Sequence, residues 1–248
     1  RLGLDFFVGE LEKRLGYKLE PAKKVPAFTH RGDPFGWVED ASGKWYYTAF
    51  VESGRVIDEH GYDIKTAMKE VAETDICGFR FTANQNIMFT YVDEKNKARL
   101  EEILARNGIT IDAMNATRRE AMACVALPTC PLALAEGQRY LPEFVTKIED
   151  LQKKHKILDR PITTRITGCP NGCGRSYVAE IGLVGKAAGK YVLRLAGDYE
   201  GERLNKVYIE EADEEEILKT LDDLFGKYAN DREDGESFGD YSERTLFA

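Results

Sequence analysis

Apolar residues recur at helical spacing from the first positions of the chain. Leu4, Phe7, Val8 and Leu11 share a face, so residues 1–16 read as a helix stopped by Gly16. The chain enters this pattern at Arg1 with no initiator Met, as a piece of a longer protein would. Pro21, Pro26, Pro34 and several glycines make residues 17–44 irregular, a linker or wrapping segment. The period then shortens. Trp45 to Val51 is aromatic and β-branched and reads as a strand, turned by Glu52-Ser53-Gly54 into Arg55-Val56-Ile57. Ile64, Ala67, Met68 and Val71 line one face of a helix over 62–74. Phe79 and Phe81 alternate with Arg80 and Thr82, the signature of a half-buried strand, which runs through Asn84-Gln85-Asn86 into Ile87-Met88-Phe89. A helix over 94–107 carries Leu100, Ile103 and Leu104 and stops at Gly108.

Beyond Thr110 the composition shifts to Ala, Met, Cys and Pro across 112–131. A helix follows over about 134–155, with Pro142 suited to its true start. Strands are expected at 163–167, 180–184, 190–195 and 206–209. Asp213 and Glu216 form a capping box for a last helix carrying Ile217, Leu218, Leu221 and Leu224. The tail from Asp231 is polar and Gly-rich and reads as an arm or a disordered end. The fold class is α+β, mixed sheets packed with helices.

Charge and composition narrow the function. The net charge of −8 gives no support for a nucleic-acid surface, and no apolar run is long enough to span a bilayer. No secretory signal segment is evident, so a cytoplasmic setting is expected. The five cysteines are an odd number, which favours metal or redox chemistry over a disulfide framework.

Four of them form two pairs. Cys124 and Cys130 lie in Cys-Val-Ala-Leu-Pro-Thr-Cys-Pro, and Cys169 and Cys173 in Thr-Gly-Cys-Pro-Asn-Gly-Cys-Gly-Arg. Two short loops brought together by a fold can supply the four converging thiolates of a cubane iron–sulfur cluster. Proline after Cys130 and Cys169 stiffens each loop, and Gly172 and Gly174 let backbone approach a bulky group. Four buried free cysteines and a zinc site remain alternatives. The wide first spacing suits zinc poorly. Cys77 has no partner at such spacing and reads as core.

These two loops resemble those of the siroheme-dependent sulfite and nitrite reductase family. Arg80-Phe81-Thr82-Ala83-Asn84-Gln85-Asn86 is similar to that family's repeated siroheme-contacting strand, and Arg31-Gly32-Asp33-Pro34-Phe35-Gly36-Trp37 to a segment of its sulfite reductase hemoproteins. The likeness runs from about residue 5 to 240. Gly172, where nitrite reductases typically carry Ser, points to the sulfite branch.

The resemblance implies that Cys124, Cys130, Cys169 and Cys173 hold one 4Fe–4S cluster, and that Cys173 also ligates the siroheme iron. It implies that Asn84, Gln85 and Asn86 lie near the siroheme and that Asn171 orients the cysteine loop. Arg118, Arg119, Arg165 and Arg175 are candidates to face the macrocycle's carboxylates or the cluster. It implies three segments: 1–44 as linker and wrapping segment, 45–111 as the second ferredoxin-like half-repeat, and 112–248 as the cluster- and siroheme-binding domain. The reaction implied is the six-electron reduction of sulfite to sulfide. An NADPH-dependent flavoprotein is the expected donor rather than a ferredoxin. The first half-repeat, with the basic residues that grip sulfite, is not found here, so no catalytic residue is named and this length alone is expected to be inactive. A siroheme nitrite reductase and a cluster-only electron carrier are the competing readings.

Overall fold

In a computed structural model of the chain, the structure describes residues 2–21, 23, 32–110 and 114–247. Pro26, Arg31 and the boundary expected at 111–112 lie outside them. The chain divides into two compact units, Arg1–Arg31 and Gly32–Ala248.

In the first unit the expected helix is α1 (Gly3–Leu15). It ends where Gly16 adopts a left-handed φ of 76° and returns its N–H to the Glu12 carbonyl at 2.9 Å, a turn that glycine makes without a Cβ penalty. None of its residues is buried.

The second unit opens with β1 (Gly36–Glu39), which pairs antiparallel with β2 (Trp45–Ala49) from Gly36–Thr48 to Glu39–Trp45. Residues 36–39 form a strand where an irregular segment is expected, because four residues beside Pro34 carry too little periodicity to register as one. The turn between the strands is built by Asp40, whose Oδ1 accepts from the Ser42 N–H at 2.8 Å and the Lys44 N–H at 3.0 Å. A 3-10 turn (Glu52–Gly54) follows β2, with Ser53 at a φ of 52° and Gly54 at 68°. These left-handed residues carry the chain out of the sheet, so Arg55–Ile57 is not the returning strand expected. The hairpin β3 (Asp58–Glu59) and β4 (Tyr62–Asp63) leads into α2 (Ile64–Thr74), β5 (Gly78–Phe81), β6 (Ile87–Val92) and α3 (Lys97–Arg106).

The first sheet has the order β1-β2-β6-β5, antiparallel throughout. Its core gathers Ile64, Val71, Ile87, Phe89, Leu100 and Leu104. Phe79 and Phe81 are less covered than the half-burial expected of them, with Phe81 75% exposed, because β5 is an edge strand held by β6 alone.

The second sheet begins after α4 (Ala116–Glu120) with β7 (Met122–Ala123). Next come α5 (Leu141–Lys154), β8 (Thr164–Thr167), β9 (Ile181–Ala187), β10 (Lys190–Leu195) and β11 (Lys206–Ala212). Its order is β11-β10-β9-β8-β7. β7, β8 and β9 are parallel, while β10 is antiparallel to both neighbours. Pro142 sits in the first turn of α5, where its missing N–H costs nothing. Asp213 caps α6 (Glu214–Asp231) by accepting the Glu216 N–H at 3.1 Å.

The tail is ordered rather than an arm. Ser237 caps α7 (Phe238–Leu246), and Phe238 and Tyr241 are buried against Phe225 and Tyr228. The buried Glu180 carboxylate accepts the Gly239 N–H at 2.9 Å. The polar, Gly-rich composition hid two aromatic anchors. Among the described residues, no helix is long and apolar enough to cross a membrane.

Candidate metal centre

The cysteine loops leave the carboxyl ends of two adjacent parallel strands. Cys124 follows β7 directly, and Gly168-Cys169 follows β8. In open sheets with parallel strands this end is where ligands bind. The loops are laced together by backbone. The Cys124 N–H donates to the Ile166 carbonyl at 3.1 Å, and the Leu134 and Ala135 N–H groups both donate to the Gly168 carbonyl, at 2.7 and 3.1 Å. The Cys130 N–H donates to the Ala126 carbonyl at 2.8 Å, closing the first loop on itself.

Missing side chains permit this approach. A Cβ on Gly174 would stand 2.3 Å from the Ile166 carbonyl oxygen and 2.9 Å from the Cys124 nitrogen. A Cβ on Gly168 would stand 2.6 Å from that of Ala126. Gly172 combines a φ of 72° with the Tyr177 ring only 2.7 Å from where its Cβ would be. A serine there would need both the ring and the backbone to move.

All five cysteines are free. Cys169 is buried, Cys124 and Cys130 are half-buried and Cys173 is exposed. The Cys124 Sγ accepts the Gly168 N–H at 3.2 Å and the Thr167 hydroxyl at 3.6 Å, donors suited to a thiolate. Cys77 lies apart, against the core of the first sheet, and burial pushes its thiol up to about 11. Such a group stays protonated at neutral pH and is a poor metal ligand. Among the described residues, no group of three or more His, Cys, Asp or Glu is gathered as one metal ion would need. A cubane presents four separate iron corners, so its thiolates stand further apart than the ligands of one zinc ion.

The Asn84-Gln85-Asn86 turn reaches the same region. Gln85 Nε2 donates to the Ala123 carbonyl at 2.7 Å, one residue before Cys124. Asn84 and Asn86 donate their side-chain N–H groups to Asp33, at 2.9 and 2.8 Å, and Thr82 adds its hydroxyl. The Asn86 Oδ1 accepts the Val51 N–H at 2.9 Å. Each of the three amides thus has a partner within the chain. Asp33, the hub, belongs to the motif beginning at Arg31 but was not singled out from sequence. No local signal marks it, since its donors Thr82, Asn84 and Asn86 lie 49, 51 and 53 residues further along the chain.

Beside this turn lies a cavity of about 330 Å³ lined by Ser53, Gln85, Ala123, Val125 and Gln138. Two of its buried polar atoms, Ser53 Oγ and Gln85 Oε1, have no hydrogen-bond partner among the described residues. Asn171 is exposed next to Gly172. Of the arginines, Arg118 is taken by Glu149 at 2.8 Å and Glu52 at 2.7 Å, which ties α4 to α5 and to the turn after β2. Arg119 stacks over Phe35 at 5.5 Å, Arg165 is buried in β8, and Arg175 reaches the Ala83-Asn84 turn.

Over this architecture the chain is 52% identical to the sulfite reductase (NADPH) hemoprotein beta-component of Leptospira biflexa serovar Patoc, a match spanning 98% of the chain and 44% of the relative. It is 48% identical to the protein of the same name from Serratia proteamaculans, over 98% of the chain and 43% of the relative. Residues 38–107 match the nitrite/sulfite reductase ferredoxin-like half domain. The chain belongs to the sulfite and nitrite reductase family. It spans less than half the length of these hemoprotein relatives, matching a C-terminal half. Two solved structures share the fold of this family member. The Mycobacterium tuberculosis NirA protein superposes with a TM-score of 0.79 at 23% identity, over 98% of this chain and 46% of that one. Dissimilatory sulfite reductase I gives 0.54 at 10% identity, over 97% of this chain and 77% of that one.

Proposed function

We propose that this chain is the cofactor-bearing half of a sulfite reductase hemoprotein, in which Cys124, Cys130, Cys169 and Cys173 hold a 4Fe–4S cluster and Cys173 also ligates the iron of a siroheme. The observation that carries the reading is the convergence of two free-cysteine loops at the carboxyl ends of β7 and β8, with glycines where a Cβ would force them apart. When bound, the coupled pair would supply single electrons to sulfite, six in all on the way to sulfide.

The chain's own residues do the holding. The Gly168 N–H and the Thr167 hydroxyl donate to the Cys124 Sγ and fix its direction. Cys169, buried at the loop base, would be shielded from water, while the exposed Cys173 faces outward, as a shared ligand must. Ser53 Oγ and Gln85 Oε1 offer hydrogen-bonding capacity that the fold leaves unspent, which fits a polar cofactor edge. Asn84 and Asn86, fixed by Asp33, brace that wall, and Asn171, an exposed residue of the Cys169–Cys173 loop, would steady that loop. On this reading 45–111 is a half-repeat and 112–248 the cofactor domain. The donor would be an NADPH-dependent flavoprotein, in keeping with the NADPH in the relatives' name.

The test is the visible spectrum with iron and acid-labile sulfide content, measured on the protein extended to the length of its relatives. Siroheme bands together with more than four irons per chain are expected. A cluster without siroheme bands would favour an electron carrier, and zinc in place of iron would end the proposal.

A further inference from the structure

We infer that Arg175 is a positioning residue that locks the Cys169–Cys173 loop onto the turn at 82–86 and, through its fixed charge, raises the reduction potential of the centre those cysteines hold. The second part rests on the cluster reading above; the first stands on geometry alone.

Arg175 occupies a left-handed backbone position, φ 54°, where glycine or asparagine would be less strained. Its own N–H is tied to the Gly172 carbonyl at 2.8 Å, so its Cα moves with the cysteine loop. From there the guanidinium crosses to the turn between β5 and β6. One nitrogen, Nη2, donates to the Ala83 carbonyl at 2.9 Å and to Asn84 Oδ1 at 2.6 Å, and approaches Met122 Sδ at 3.4 Å, just before Cys124. Asn84 passes the constraint on, since its Nδ2 donates to Asp33 at 2.9 Å. Asp33 in turn holds Asn86, whose Oδ1 is fixed by the Val51 N–H.

The chain of contacts therefore runs from two residues past Cys173, through one side chain, to the strand ends of the first sheet. A lysine could carry the charge, but on a flexible stem whose ammonium is a rotating point charge rather than a planar group held in one orientation. The left-handed backbone position at Arg175 holds the guanidinium over the 82–86 turn, where Nη2 reaches a carbonyl and an amide oxygen together. Its charge is permanent, and a fixed cation beside a thiolate-ligated cluster favours the reduced, more negative state.

The experiment uses the holoprotein at the length of its relatives, with Arg175→Gln, Arg175→Lys and Asp33→Asn. Two readouts are taken: the cluster midpoint potential, by reductive titration followed with electron paramagnetic resonance, and amide exchange at Thr82, Gln85 and Asn86. Arg175→Gln should keep its iron, shift the potential negative and speed exchange about tenfold or more. Arg175→Lys should restore most of the potential while exchange stays fast. Asp33→Asn should speed exchange with little change in potential. An Arg175→Gln protein with wild-type potential and wild-type exchange overturns the inference. If the wild-type protein carries no iron, the cluster reading fails, and exchange alone still decides the positioning role.

Discussion

Replacing Gly174 with alanine tests the close approach on which the site depends. The added Cβ would stand 2.3 Å from the Ile166 carbonyl oxygen and 2.9 Å from the Cys124 nitrogen, both backbone atoms that no rotamer change can move. It would intrude on the Cys124 N–H to Ile166 carbonyl bond, 3.1 Å long, that joins β8 to the first cysteine loop. Overpacking of this kind costs about 1–3 kcal/mol. Leaving the buried amide unpaired costs about 1–3 kcal/mol more. A combined loss of about 3 kcal/mol lowers the melting temperature by roughly 6–12 °C for a domain of this size. Gly9→Ala is the control. Nothing lies within 4 Å of its Cβ position, it sits inside α1, and alanine there is favoured by about 0.5–1 kcal/mol. Thermal unfolding followed by circular dichroism gives the stability, and iron content after purification gives the integrity of the site. A Gly174→Ala protein that melts with the wild type and keeps all its iron would refute the claim that bare backbone contact sets the loop spacing.

Two further outcomes follow from the same structure. The 248-residue chain supplied with siroheme and a chemical reductant should produce no sulfide from sulfite, because β5 lies open at a sheet edge and the net charge is −8, with Arg118 already spent on two glutamates; steady sulfide release would contradict this. Asp40 is held down at about 2, from an ordinary 3.8, by the Ser42 hydroxyl and then by the Lys44 N–H. A depressed carboxylate stabilises the fold above 3.8, and that stabilisation is lost as pH falls toward 2, so acid unfolding of Asp40→Asn should lack this component; superimposable acid curves for the two proteins would exclude it.

The parts of this molecule that could be read from sequence are those where local chemistry decides. Asp213 and Glu216 start α6, Gly16 stops α1 and Pro142 marks the first turn of α5, each by a cap or breaker that acts within a few residues. The cysteine spacings likewise named the loops. What could not be read depends on partners distant in the chain. β1 exists because β2 pairs with it, and α7 because Phe238 and Tyr241 find Phe225 and Tyr228. Arg118 was a reasonable candidate for an anionic cofactor until the fold brought Glu52 and Glu149 to it. Asp33 gained its importance only when β5 and β6 delivered three donors to its carboxylate.

The central claim is that four particular thiolates hold one cluster, and the most direct measurement is iron and acid-labile sulfide per chain in five single Cys→Ser proteins. Cys124, Cys130, Cys169 and Cys173 variants should each lose most of both, while Cys77→Ser, whose thiol is packed against the first core with its pKa pushed up to about 11, should retain the wild-type content. Equal retention across all five, or loss confined to the Cys77 variant, would contradict the account.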